Sequence, residues 1–200
     1  MTDIQQDGRA RRQQDIFDLN RTKLIDTAVD VINEVGDIRE VTLTQIAKEA
    51  GVSPATAYNH FPDRMEDVFS AIVHARMDVA ANMGATLADE SLSVIEKLKQ
   101  IPVTYAENLV SLGYAGKVIV VQMFNLVNVN KWLDQDPVQA ITALLSNSDQ
   151  YHDRADEIAV NMATAFRGAM FEYALNIGDH ELFNRYSCLL YTSPSPRDTA

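Results

Sequence analysis

A group of small, polar and aromatic side chains between residues 42 and 61 carries the clearest chemical signal in the sequence. Its second half presents hydroxyl, amide and imidazole groups at Thr56, Tyr58, Asn59 and His60, and it contains no acid. Such groups exchange hydrogen bonds with base edges in a DNA groove without repelling the phosphates. The segment therefore favours a nucleic-acid contact over catalysis.

Two short helices joined by a tight turn would position these side chains. Thr42 is placed to cap the first helix, and Gly51 allows the chain to reverse because it lacks a Cβ. Ser53 is placed to cap the second helix, with Pro54 at its first position, where no amide hydrogen is needed. The pattern predicts a helix-turn-helix. A helical hairpin with no role in DNA binding is the alternative.

Apolar residues recur at helical spacing along the rest of the chain, and no long run alternates apolar and polar residues as a strand does. The first helix is expected from about residue 21 to a stop at Gly36. We therefore predict an all-α fold. Further helices are predicted at about 43–50, 54–60, 63–84, 90–111 with a kink or short break at Pro102, 115–133, 137–146 and 153–177.

Composition limits the class of protein. The chain has 200 residues, of which 46% are apolar and 22% charged, which is typical of a globular protein with a buried core. No stretch holds the roughly 18 uncharged apolar residues of a membrane helix. The N-terminus lacks the apolar stretch of a secretory signal, and the single cysteine, Cys188, has no partner for an internal disulfide. We therefore expect a cytoplasmic protein.

The formal net charge of -11 argues against a surface covered by nucleic acid, although it permits a local DNA site. Positive charge is concentrated at Arg9, Arg11 and Arg12, within residues 1–20, which are expected to form a flexible basic arm. The arm would either enter a minor groove or serve only to keep the chain soluble. No phosphate-binding glycine loop, metal cluster or activated nucleophile is apparent, so we expect neither an enzyme nor a cofactor or metal.

From Arg21 to Ile72 the chain resembles the DNA-binding domain of TetR-type bacterial transcriptional repressors. The resemblance rests on Thr42-Leu-Thr-Gln-Ile-Ala, Ala50-Gly-Val-Ser and Thr56-Ala-Tyr-Asn-His-Phe61, followed by Pro-Asp-Arg and a long helix. It implies an N-terminal three-helix bundle with a helix-turn-helix over about residues 21–77, whose last helix, at about 63–84, leads onward. A C-terminal helical domain for ligand binding and dimerisation would cover about 78–186.

The resemblance also implies which side chains contact DNA. The expected contacts are Pro54, Ala55, Thr56 and Asn59 to base edges, Tyr58 and His60 to phosphate or thymine methyl, and Thr42, Thr44 and Arg64 to the DNA backbone. Arg64 has an alternative role in supporting the following helix, and Phe61 is expected in the core. Ala57 stands where the family commonly has a larger aliphatic residue, so looser packing is expected beneath the second helix.

The region after residue 77 is expected to bind a small-molecule effector, since the resemblance implies a pocket between its helices. Apolar walls with a few amides would suit a largely hydrophobic ligand, and ordinary core packing is the alternative for each residue. The candidate lining residues are Gln122, Met123, Asn125, Asn128, Trp132, Met162, Phe166 and Met170. A homodimer is expected through the helix at about 153–177 and another starting near Asp179.

The last residues, from about 187 to 200, abandon helical spacing where a final helix should continue. They resemble a translated sequencing-adapter tail, and we predict that they are not native. The whole pattern predicts a transcriptional repressor that binds an operator in double-stranded DNA and is released by an effector. A DNA-binding helical module without an effector is the alternative.

Overall fold

The computed structural model describes residues 3–77, 79–125 and 137–175, and within these ranges every regular element is a helix, as the sequence predicts. Asn128, Trp132, the helix expected near Asp179 and the tail from about 187 lie outside the described residues. The α-helices are α1 (Asp3–Val35), α2 (Leu43–Glu49), α3 (Pro54–His60), α4 (Met65–Arg76), α5 (Val79–Ala88), α6 (Val94–Ser111), α7 (Tyr114–Asn125), α8 (Pro137–Ser146) and α9 (Ala155–Leu175). Short 3-10 turns occur at Ile38–Glu40 and His152–Arg154.

The chain divides into two compact units, the first ending at Ile72 and the second beginning at Val73. In the first unit α1 packs against α2 and α3. The core is built by apolar side chains that contact no solvent: Leu24, Ala28, Ile32, Ile46, Ala47, Ala57 and Phe61. The prediction that Phe61 belongs to the core is confirmed.

Helix α1 is longer than predicted, because it begins at Asp3 and not near residue 21. The flexible arm expected over residues 1–20 is therefore helical from Asp3 onward. The stretch has no proline and is rich in glutamine and arginine, which lose little rotamer freedom in a helix. It lacks a full apolar stripe, so apolar spacing alone gives no signal there. The predicted end is confirmed: Gly36 adopts a φ of 67° and donates its N–H to the Ile32 carbonyl at 3.1 Å.

The single helix predicted at about 63–84 is wrong, because α4 ends at Arg76 and α5 begins at Val79. Neither proline nor glycine marks the interruption. The apolar stripe continues across it, since Met77 is buried and its N–H still donates to the Val73 carbonyl at 2.8 Å. Apolar spacing therefore merges two helices into one.

In the second unit α9 packs against α7 and α8, and α6 packs against α5, α7 and α8. Helix α6 begins at a capping box: the Ser93 hydroxyl accepts the Glu96 N–H, and the Glu96 carboxylate accepts the Ser93 N–H. Of the kink or short break predicted at Pro102, the break is wrong, because α6 continues through this residue. No helix in the described ranges is long and apolar enough to cross a membrane.

Gly116 lies where α7 packs against the end of α6. A Cβ built on it would collide with the backbone carbonyl of Leu109. Gly116→Ala should therefore destabilise the protein by about 1–3 kcal/mol, measured by urea unfolding. The matched control is Gly84→Ala in α5, where nothing lies within 4 Å of the added Cβ. That change should stabilise by about 0.5–1 kcal/mol, and equal effects of the two substitutions would refute the close contact.

Candidate nucleic-acid interface

The turn between α2 and α3 is fixed by a pair of backbone hydrogen bonds. Gly51 has a φ of 68°, in the region that glycine enters without steric cost. The Gly51 N–H donates to the Lys48 carbonyl at 3.1 Å, and the Val52 N–H donates to the Ala47 carbonyl at 2.9 Å. This is the Schellman arrangement, which ends α2 and sends the chain into α3 at a set angle.

Both predicted caps are present. The Thr42 hydroxyl accepts the Gln45 N–H at 3.2 Å, and the Ser53 hydroxyl accepts the Thr56 N–H at 3.1 Å. Pro54 occupies the first turn of α3, where it costs no hydrogen bond. The Ser53 and Thr56 hydroxyl oxygens are also 2.8 Å apart, so the Thr56 hydroxyl is engaged at the start of α3. The predicted helix-turn-helix is formed.

Most of the residues expected to contact DNA are exposed on this first unit. Thr56 is half-buried. The exposed members of the set are Thr42, Thr44, Pro54, Ala55, Tyr58, Asn59 and Arg64. Tyr58 is 40% exposed, and its hydroxyl is 3.4 Å from the Thr44 hydroxyl. This contact joins the outer surfaces of α2 and α3, so the expected backbone contact and the expected groove contact are neighbours.

An open groove lies along the same surface. It is lined by Thr42, Thr44, Gln45, Lys48, Glu49, Val52 and Pro54. Gln45 and Lys48 were not among the predicted site residues. Their spacing could have indicated them. Gln45 and Lys48 are three residues apart, and Thr44 and Lys48 are four apart, which places these side chains on one side of a short helix. An amide and an ammonium beside α3 add donors that suit phosphate oxygens.

His60 is the exception, because it is buried with only 5% of its surface exposed. Its ring lies 3.9 Å from the Phe17 ring, centroid to centroid, and neither ring nitrogen has a hydrogen-bond partner in the part of the chain that the structure describes. The expected exposure of His60 is therefore wrong, and its contact with phosphate or thymine methyl, which burial disfavours, stays a prediction. The cause is the added length of α1, which brings Phe17 over the end of α3.

Arg21 fastens the same end of α3 and was not predicted. Its guanidinium donates to the His60 carbonyl at 3.2 Å and stands over the Phe61 ring at 5.0 Å from the centroid. A cation at the last carbonyls of a helix complements the negative end of the helix dipole, and the ring face adds a cation–π contact. Sequence alone does not pair residues that are 39 positions apart.

Arg64 holds an unusual backbone conformation, with a φ of 57° in a residue that is not glycine. Its N–H donates to the Phe61 carbonyl at 3.0 Å, and its carbonyl accepts the Val68 N–H at 3.2 Å, so the backbone starts α4. The side chain is exposed and forms no hydrogen bond or ion pair with any residue that the structure describes. Strained conformations of this kind persist where the surroundings impose them, often at functional sites.

Fold and site together define a helix-turn-helix domain in the first unit. Residues 24–72 match the family model described as "Bacterial regulatory proteins, tetR family", which confirms the predicted resemblance to TetR-type regulators on this segment.

Three relatives carry the name HTH-type transcriptional regulator BetI. That of Brucella anthropi is 35% identical over 69 residues, which is 34% of this chain and 35% of the relative. That of Brucella canis is also 35% identical over 69 residues, 34% of each chain. That of Klebsiella pneumoniae is 36% identical over 78 residues, 38% of this chain and 40% of the relative. The match thus spans little more than a third of these relatives.

The candidate effector residues that the structure describes lie on α7 and α9 of the second unit. Gln122, Met123 and Met162 are half-buried, and Phe166 and Met170 are buried. The Phe166 ring lies 5.7 Å from the Tyr105 ring of α6, centroid to centroid. The side chain of Asn125 lies outside the described part. The role of these residues in binding an effector stays a prediction, as does ordinary core packing.

The buried imidazole predicts how stability depends on pH. Loss of hydration and the Arg21 guanidinium lower the pKa of His60, although the Asp18 carboxylate opposes them. Below a pH of about 6.5 the unfolded chain therefore takes up a proton more readily than the folded one, and the free energy of unfolding falls. His60→Leu should flatten that fall between pH 7 and pH 5 in urea titrations. Equal slopes for the two proteins would contradict the burial of a neutral ring.

Proposed function

We propose that the protein is a transcriptional repressor that occupies an operator in double-stranded DNA as a homodimer and is released by a small-molecule effector. The observation that carries the proposal is the outer face of α3, which is exposed while both of its ends are fastened to the first unit. A rigid, exposed helix without acids is the element that enters a major groove in helix-turn-helix proteins.

The exposed face of α3 supplies different chemistry at each position. Asn59 presents an amide, which can form a bidentate pair with adenine. Ala55 and Pro54 offer small apolar surfaces suited to a thymine methyl. Tyr58 and Arg64, beyond the groove-facing side chains, suit phosphate oxygens, as do Thr42 and Thr44 on α2. The arrangement supports base contacts from α3 that are flanked by backbone contacts.

Dimerisation is proposed because one seven-residue helix contacts too few bases to select a site in a genome. Two copies would place their α3 helices in successive major grooves, about 34–36 Å apart. The second unit supports this with an apolar stripe on α9. Val160, Phe171 and Leu175 are 52%, 41% and 57% exposed and fall on one side of the helix. A second copy of the chain would cover this stripe.

Release by an effector would require a link between the two units. Helix α4 begins in the first unit and ends in the second, so the backbone between them is helical. We propose that an effector bound in the second unit favours a spacing of the two α3 helices that no longer fits the operator. A regulator without an effector is the second candidate. The repressor would act in the cytoplasm, where operator DNA is found.

The DNA-contacting role predicts specific losses of affinity. Tyr58→Ala should weaken binding about 10-fold or more, and Arg64→Ala should reduce the slope of log affinity against log salt by about one. The measurement is a fluorescence-anisotropy titration at several salt concentrations, using duplexes selected by the wild-type protein from a random pool. Lys99→Ala, which removes an exposed cation from the second unit, is the control and should change neither quantity. Wild-type affinity retained by both test variants would refute the assignment.

The effector is tested by screening small molecules for thermal stabilisation and for release of the selected duplex. A ligand at 100 times its dissociation constant should add about 2.7 kcal/mol to the free energy of unfolding. Phe166→Ala, which opens the wall formed with Tyr105, should weaken that response. If molecules that stabilise the protein leave DNA binding unchanged, the second candidate is correct.

A further inference from the structure

Phe17 lies outside residues 24–72, the segment that matches the family model, yet it contacts the end of α3. Its ring is 3.9 Å from the His60 ring, centroid to centroid. Phe17 keeps 42% of its surface exposed, whereas His60 keeps 5%. Phe17 therefore covers the imidazole with one side and faces solvent with the other.

The imidazole of His60 fits this covered position only while it is neutral. Both ring nitrogens are buried and have no hydrogen-bond partner among the residues that the structure describes. A neutral ring carries one N–H donor, whereas a protonated ring carries two donors and a full charge. A buried charge without a partner is far more costly than a neutral polar group. The protonated ring therefore needs water, which reaches it when Phe17 moves away from α3.

The charged groups around His60 act in the same direction. Loss of hydration is the largest influence that lowers the pKa of His60, and the Arg21 guanidinium lowers it further, while the Asp18 carboxylate raises it. Arg21 and Asp18 both belong to α1, and Arg21 also holds the His60 carbonyl. The charged side chains of α2 and of the turn after α3 are exposed to solvent: Lys48, Glu49, Asp63 and Arg64.

We propose that Phe17 is a positioning residue for the DNA-contacting face of α3, and that uptake of a proton by His60 detaches Phe17 and weakens DNA binding. This inference rests on the proposed function, because affinity for DNA is its readout. Helix α3 has seven residues and depends on attachments at its two ends. Tyr58 and Asn59 precede His60 directly, so they lose their fixed positions when the C-terminal attachment opens.

An exposed and a covered His60 predict opposite effects of acid. If the ring lay at a phosphate, protonation would add attraction, and affinity would rise as the pH falls. Under Phe17 the ring takes up a proton only in the detached state, so affinity falls below a pH of about 6.5. At pH 5.5 a hydrated imidazole is charged about ten times as often as it is neutral, which limits the loss of affinity to about 10-fold.

The test compares Phe17→Ala with Ile16→Ala, a matched control that removes the neighbouring side chain, which is 55% exposed. Phe17→Leu restores an apolar cover, and His60→Leu removes the titrating group. Affinity for the duplex selected by the wild-type protein is measured by fluorescence anisotropy at pH 7.5 and pH 5.5 and at fixed salt. NMR titration of the His60 ring reports its protonation without DNA, and circular dichroism verifies the helix content of every variant.

The wild-type protein should lose about 3- to 10-fold in affinity between the two pH values, beyond any loss in His60→Leu. Phe17→Ala should bind about 2- to 10-fold more weakly at pH 7.5 and lose less on acidification, because its ring is already hydrated. Its His60 should also titrate at a higher pH than in the wild-type protein. Phe17→Leu should recover part of both effects, and Ile16→Ala should behave as the wild type.

Equal pH dependence in the wild-type protein and His60→Leu would overturn the inference, and so would an affinity that rises with acid only when His60 is present. Phe17→Ala with the affinity and pH profile of Ile16→Ala would refute the positioning role. If the wild-type protein selects no duplex, the proposed function fails. That result is distinct, because the NMR titration still decides whether Phe17 keeps the proton from His60.

Discussion

The attachment of the C-terminal end of α3 to α1 is the constraint on which the rest of the site depends. Helix α3 has seven residues, far fewer than an isolated helix needs to persist in water. Its conformation therefore comes from packing: the Arg21 guanidinium holds the His60 carbonyl, and the Phe61 ring beneath it is fully buried. With Ser53 fixing the other end, the exposed face of α3 can be rigid although the helix is short.

This attachment carries a cost at His60. Two ring nitrogens without partners in the described residues are buried under Phe17, and each such group costs about 1–3 kcal/mol of lost hydration. Stacking of the rings and the cation over Phe61 offset part of that cost. The same contacts join α1 to the C-terminal end of α3.

Features fixed by a few neighbouring residues could be predicted from the sequence. The caps at Thr42 and Ser53 and the reversal at Gly51 depend only on local geometry, and all three are present. The burial of His60 could not be predicted in this way, because it depends on Phe17, which lies 43 positions earlier. The early start of α1 was missed for a related reason: its polar residues favour a helix but show no apolar stripe until the fold supplies a contact.

The side chains on this surface differ in which hydrogen-bonding groups remain available after their contacts within the protein. The Thr56 hydroxyl is engaged by Ser53 and the Tyr58 hydroxyl lies near Thr44, which leaves the exposed Asn59 amide as the main hydrogen-bonding group of α3 for a base. One such amide would discriminate between bases by about 1–3 kcal/mol, and this selectivity is separate from the overall attraction or repulsion between phosphates and a chain of net charge -11. Under the proposed function, affinity would depend on cations that lie close to α3, whatever the net charge of the whole chain. Arg64 is such a cation, because it is exposed and follows the C-terminal end of α3, so base selection and phosphate binding would be carried by different residues of the first unit.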